Sequence, residues 1–395
     1  MTIARPHSLP STDRIPYLDI ARTAAIFAIT STHAFNRSFA VYAGSGEEFL
    51  RISFFAALFK ALFYILNRFG VPLFLMITGA LMLPRDYSGQ YPRFLKKNWL
   101  RLFITTELWL ILMFWFLQLF PDSVLRTEGL AECLIRFGTT VLFLTPVQMN
   151  SLWYMEMILC LYLLIPIFSA ALRGLPARAF LLPVLFSILV CCVAADVEVF
   201  RRALGHSREL TPAFHEANLF TMYAVYLLMG CFCARGCFSR IPTPAVAAIL
   251  LLDVGVFAGL QLWLYHLPND LLLGDYYRSL FLLIGVVSLF ELMRRRKRIS
   301  GVENRICQFF SEISFGIYFV HICIIEGVNL LLLEYAPGIR MFGKYFLLET
   351  VCMAGSVLII QLLRRVPLMG LYLFGIKPKK ADVPQQAAQE SSLPC

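Results

Sequence analysis

The strongest chemical signal lies in the first long apolar run, YLDIARTAAIFAITSTHAF, where Arg22 and His33 stand eleven residues apart. At about 100° per helical residue the separation is about 1100°, roughly 20° past three full circles, so both fall on one helix face. The rise between them is about 16 Å. That length is comparable to an extended pantetheine arm, so a cation at one end could hold the phosphates of coenzyme A while the thioester reached an imidazole at the other. Asp19 precedes the arginine by one turn. Charged groups inside apolar spans are costly and stand out as functional candidates, although a snorkelling arginine and an interfacial, hydrogen-bonded histidine satisfy the same spacing.

Other polar residues interrupt apolar runs. Ser314 and His321 are seven residues apart and share a face to within about 20°, with Tyr318 close to it. They would line a channel or bond neighbouring helices. Glu156 lies about 7 Å below the external end of its run by helix rise, a depth that could match His33. A carboxylate there would fix an imidazole's tautomer and stabilise its cation, or else pair with Arg68 or line a vestibule. Arg68 precedes Gly70 and Pro72, residues that bend helices, and could face an oxyanion or an acceptor sugar. Glu107, Asp253, Glu312, Glu326 and Glu349 are further candidates. The cluster Cys231, Cys233 and Cys237 lacks a nearby histidine or second cysteine pair, so no metal site is expected.

The elements that must position these groups are membrane helices. Only 15% of the 395 residues are charged, 59% are hydrophobic, and mean hydropathy is +0.70, which excludes an ordinary soluble domain. The apolar stretches lack the alternation of a transmembrane barrel. Ten spans are predicted, at about 15–36, 60–83, 99–120, 151–172, 179–196, 218–235, 244–265, 277–293, 309–333 and 344–363. Of the 35 lysines and arginines, 22 fall in one set of loops and ten in the other, which predicts cytoplasmic termini. The expected organisation is an all-α polytopic bundle, with a cytoplasmic segment 1–14, a membrane domain 15–365 and a disordered cytoplasmic tail 377–395 rich in Pro, Gln and Ser. No signal-cleavage pattern precedes the first span. Neither a 20–50-residue repeat nor a glycine-rich phosphate loop is visible.

The run LDIARTAAIFAITSTH has the R-x10-H form that opens the acyltransferase 3 family of ten-span membrane acyltransferases, and the chain resembles that family elsewhere. RFGVPLFLMITGALML (Arg68 to Leu83), SLWYMEMILCLYLLIPIF (Ser151 to Phe168) and SFGIYFVHICII (Ser314 to Ile325) are similar to its later motifs, in order and spacing. The combination is closest to bacterial surface-polysaccharide O-acetyltransferases. Two motifs depart from the pattern. Asn98 stands where the family's R-x-x-R pair has its first arginine, with Lys96 and Lys97 beside it and Arg101 at the second position; in the fourth-span motif Ser151-Leu152 precede the tryptophan where a histidine is common, and Glu156 stands where an uncharged residue is usual.

The resemblance implies an enzyme of the bacterial inner membrane that moves an acyl group, expected to be acetyl, from cytoplasmic acyl-CoA to a hydroxyl of an envelope glycan, lipid-linked or free. His33 would be the general base with Glu156 beside it. Arg22, Lys96, Lys97 and Arg101 would bind the donor's phosphates, while Arg68, Ser314, Tyr318 and His321 would line the substrate path. Acyl-CoA is then a substrate rather than a resident cofactor, membrane lipids surround the bundle, and no metal or nucleic acid is expected. The competing expectation is a transporter or flippase without acyl chemistry, which Gly70-Val71-Pro72 and the mid-span charges also fit. A transporter gives no reason for the Arg22/His33 alignment.

Overall fold

The first helix begins where Pro16 supplies a preset φ and Asp19 places a negative charge in the first turn. The computed structural model describes residues 14–39, 52–120, 124–145, 152–206, 215–267, 271–296 and 299–375. Their helices are α1 (Pro16–Ser38), α2 (Phe54–Arg68), α3 (Gly70–Met82), α4 (Leu100–Leu117), α5 (Leu130–Val141), α6 (Trp153–Gly174), α7 (Leu181–Ile188), α8 (Ala194–Ala203), α9 (His215–Ala234), α10 (Thr243–Tyr265), α11 (Leu280–Arg295), α12 (Gly301–Tyr335), α13 (Met341–Leu363) and α14 (Pro367–Phe374). No strand occurs among the described residues. The chain is a polytopic α-helical bundle.

Each of the ten predicted spans overlaps a helix, the eighth becoming regular α-helix only at Leu280. Seven helical stretches among the described residues are long and apolar enough to cross a membrane: Phe54–Met82, Tyr91–Leu117, Trp153–Gly174, Arg178–Ala203, Thr243–Tyr265, Gly301–Tyr335 and Met341–Leu363. The other three predicted spans coincide with α1, α9 and α11. α1 carries Asp19, Arg22, His33 and Arg37, and α11 has 16 residues and ends in Arg294 and Arg295. The loop expected at 121–150 holds a further helix, α5. Residues 1–13 and the tail beyond 375 lie outside the described residues, as do Ser151, Lys297 and Arg298.

α1 is the hub. It packs against α2, α3, α11, α12 and α13, and its Ala21, Ala25, Ile26 and Ala34 are fully buried. Thr23 donates to the Cys307 carbonyl of α12 at 3.1 Å, and Arg14 donates to the Gln308 carbonyl at 2.9 Å. Gly70 lets α3 approach closely: a Cβ there would lie 2.8 Å from an Ile29 side-chain carbon. The break between α2 and α3 presents the Asn67 carbonyl to the Thr32 hydroxyl of α1, at 3.2 Å.

α3 and α9 meet through two glycines that face each other's backbone. A Cβ on Gly230 would lie 2.0 Å from the Met76 carbonyl oxygen, and one on Gly79 would lie 1.8 Å from that of Leu227. Small residues at such crossings allow the van der Waals packing that holds membrane helices together. Gly230→Ala should therefore destabilise the purified protein by about 1–3 kcal/mol, the usual range for overpacking. Gly255→Ala in α10, where a Cβ meets nothing within 4 Å, should be near neutral. Thermal unfolding in detergent of both variants checks this.

Candidate active site

Asp19 explains why Arg22 is available. Although nearly fully buried, the carboxylate is already engaged on both oxygens: Oδ2 accepts from Arg14 Nε at 2.8 Å, and Oδ1 accepts from Ser311 of α12 at 2.5 Å. Arg22 is half-buried, and among the described residues its guanidinium has no hydrogen-bond or ion-pair partner. It faces a cavity of about 370 Å³ enclosed by α1, α3, α4, α6 and α12. The walls include Phe74, Thr78 and Leu81 from α3, Tyr154, Ile158 and Tyr162 from α6, and Ser314 and Tyr318 from α12. Arg85, just beyond α3, lines the same cavity. Two guanidinium groups thus face one partly apolar chamber, an arrangement suited to a polyanion because each presents forked donors.

The chamber wall adjoins the histidines through the Tyr318 ring, although neither histidine lines the chamber itself. That ring lies 5.9 Å from His321, and the His321 ring centroid lies 5.0 Å from that of His33. His321 is fully buried, with Nδ1 3.1 Å from the Ile317 carbonyl. A carbonyl has no proton to give, so in the neutral ring Nδ1 donates and Nε2 keeps its lone pair. Among the described residues Nε2 has no hydrogen-bond partner. An unsatisfied buried acceptor beside a second imidazole is expensive, and it is the geometry by which one histidine orients another. α1's opposite face is tied down: Thr30 donates to Glu349 at 2.7 Å, and Ser31 and Tyr345 share a 2.7 Å hydrogen bond.

The structure therefore brings together Arg22, Ser314, Tyr318, His321 and His33 along one path. The remaining sequence candidates have other surroundings. Among the described residues, Glu156 makes no side-chain hydrogen bond and is half-buried; the ring next to His33 is that of His321. Lys96 and Lys97 are exposed on a π-helical turn, Leu95–Trp99, that leads into α4. Arg101 is engaged structurally: Nη2 donates to the Gly375 carbonyl at 2.7 Å and approaches that of Leu371 at 3.4 Å. Thr105 and Trp109 extend the same clasp to the carbonyls of Tyr372 and Leu373, so this face of α4 secures α14.

Arg68 lies at the level of Thr32, whose hydroxyl bonds the neighbouring Asn67 carbonyl. Its guanidinium sits 4.9 Å over the Tyr64 ring and 3.5 Å from Asp275. Asp275 belongs to a segment absent from the sequence candidates. Residues 271–279 form an irregular loop between α10 and α11 whose Leu271, Leu272, Leu273 and Ser279 are buried. Gln261, fully buried, donates to the Leu271 carbonyl and accepts from the Leu273 amide; Tyr64 and Tyr226 donate to the carbonyls of Leu273 and Tyr277. Tyr276 and Tyr277 both hold positive φ, at 51° and 62°. Bulky residues there cost on the order of 1–3 kcal/mol each and persist only where the surroundings impose them.

Arg85 also escaped the sequence reading, which treated it as one of many loop charges. Its signal was periodic: it continues the 74, 78, 81 stripe of α3. The profile of a family described as an acyltransferase domain matches residues 15–365. No curated protein and no solved structure matches the chain. The contacts of Arg101 predict that Arg101→Ala lowers thermal stability by about 1.5–3 kcal/mol, the cost of losing charged hydrogen bonds, whereas Arg22→Ala leaves stability nearly unchanged. Parallel melting curves of the two detergent-purified variants check this.

Proposed function

The chain belongs to the acyltransferase 3 family and is a membrane acyltransferase, and from that premise we propose that it moves an acetyl group from cytoplasmic acetyl-CoA to a hydroxyl of an envelope glycan on the opposite face. The observation that carries the reading is the Arg22 guanidinium, unpaired among the described residues, in a chamber whose wall residue Tyr318 contacts the His321 ring, which in turn contacts that of His33. Because Asp19 is committed to Arg14 and Ser311, the charge of Arg22 is left for a ligand. Arg22 and Arg85 hold the donor's phosphates at one end. The apolar walls between them and Tyr318 accommodate the pantetheine arm, whose length suits the roughly 16 Å rise from Arg22 to His33. Lys96 and Lys97, exposed on the same side, raise the local concentration of the anionic donor at the mouth.

In the transfer step, His33 removes the proton of the acceptor hydroxyl as its oxygen attacks the thioester carbonyl. The C–O bond forms, the C–S bond breaks, and the departing CoA thiolate takes the proton from the imidazolium. A positioned base of this kind contributes roughly 10² to 10⁴ in rate. His321 Nε2, without a partner among the described residues and beside the His33 ring, is placed to accept the His33 N–H once that ring turns toward it, which leaves the other His33 nitrogen to act as base. Ser314 and Tyr318 line the thioester's path, and Arg68 faces the acceptor side.

Incubation of the purified protein with labelled acetyl-CoA and a glycan acceptor should release free CoA and place the label in an ester. His33→Ala should insert and fold normally yet lose at least about 100-fold in transfer. Arg22→Ala and Arg85→Ala should raise the KM for acetyl-CoA about tenfold or more with a smaller effect on acceptor KM, since each removes charged hydrogen bonds to the donor. Wild-type transfer by folded His33→Ala would remove the histidine from the mechanism.

A further inference from the structure

The loop between α10 and α11 has a construction that donor binding and acid–base chemistry do not use. Irregular backbone inside a membrane bundle is tolerated only where it is buried in protein or lines a watery cavity. Here part of the loop is buried in protein and part is exposed. The first half of the loop is sealed by Gln261, Tyr64 and Tyr226, and the second half presents Asp275, Tyr276 and Arg278 outward. Tyr276 is 57% exposed while its neighbour Tyr277 is 9% exposed, so the two strained tyrosines point to different environments. The Tyr277 ring stacks on Trp153 at 5.7 Å and lies 5.9 Å from the Arg68 guanidinium. Trp153 immediately precedes Tyr154, which lines the donor chamber and contacts Tyr318 at 5.7 Å. The loop is thus joined to the reaction centre through two adjacent aromatic residues of α6.

Asp275 faces Arg68. Arg278 lies 5.7 Å from the Tyr276 ring, and its Nε is buried with no hydrogen-bond partner among the described residues. Aromatic faces suit the C–H faces of a pyranose, and an arginine short of acceptors suits a carboxylate or phosphate. We propose that residues 275–278 form the acceptor platform and that the acceptor sugar it takes is anionic, its negative group received by Arg278 while its ring rests on Tyr276. This rests on the acyltransferase reading above and adds the chemical class of the acceptor. The strained backbone presets Tyr276 beside Arg278, so the platform exists before the sugar arrives.

The test uses the full-length protein in detergent and two matched pairs of probes: a glucuronate-containing oligosaccharide with its carboxyl-reduced form, and a sugar 1-phosphate with the free sugar. Binding is read by calorimetry and acetyl transfer by labelled ester. The wild type should bind the anionic member of at least one pair about tenfold or more tightly than its neutral partner, and which pair shows the preference identifies carboxylate or phosphate as the group recognised. Arg278→Gln should abolish that preference while keeping the affinity for the neutral member. Tyr276→Gly, whose glycine accepts the positive φ, should weaken both members of a pair alike, with an unchanged melting temperature. Equal binding of both members in both pairs, or a preference that survives Arg278→Gln, overturns the platform even if acetyl transfer proceeds. Absence of labelled ester with every glycan overturns the acyltransferase reading instead, and the calorimetric preference still decides the platform.

Discussion

A helix that carries Asp19, Arg22 and His33 cannot face hydrocarbon, and the arrangement of the bundle follows from enclosing it. Intramembrane charges persist when they are paired or turned toward a cavity, and α1 uses both solutions on neighbouring turns. Asp19 is paired twice, through Arg14 and Ser311, which fastens α1 to α12. Arg22 is turned toward the chamber. The same fastening brings the 314, 318, 321 face of α12 against the path of α1, so the contact that satisfies the aspartate also sets His321 5.0 Å from His33. One buried carboxylate therefore underlies both the free cation and the histidine pair.

How much of this was legible in the sequence depended on whether the signal was local. The Arg22/His33 alignment and the Ser314/His321 spacing are properties of single helices, and helical periodicity placed each pair on one face. The contacts of Arg101 are not local. Its carbonyl partners lie 270 and 274 residues away in α14 and just beyond it, and a basic residue at the start of an apolar helix reads equally as a phosphate ligand or as a clasp. For Glu156 only a depth could be read, because depth along one helix says nothing of which way the helix is rotated against its neighbours. The loop after α10 reads locally as a turn at Gly274-Asp275. Its inward position depends on Gln261, Tyr64 and Tyr226, three residues on three different helices.

In the proposed reaction the chamber and the loop divide the requirements between them. Where Arg22 and Arg85 face the cavity, charge is concentrated and the walls are apolar, which suits a long anionic donor drawn in by one end. Where Arg68, Asp275 and Arg278 lie, aromatic rings and charges alternate, which suits a hydroxylated ring. The histidine pair stands between them. Close approach of α3 to α1 at Gly70 and to α9 at Gly230 keeps these walls fixed, so the geometry depends on packed backbone rather than on long flexible side chains.

The central claim is that donor and acceptor reach His33 from opposite membrane faces. It is tested most directly in vesicles of known orientation, with labelled acetyl-CoA confined to one side and glycan acceptor to the other. The account predicts labelled ester only when acetyl-CoA is on the side carrying Arg85, Lys96 and Lys97 and the acceptor is on the side carrying Arg278. Equal transfer when both substrates are confined to the Arg85 side would contradict it.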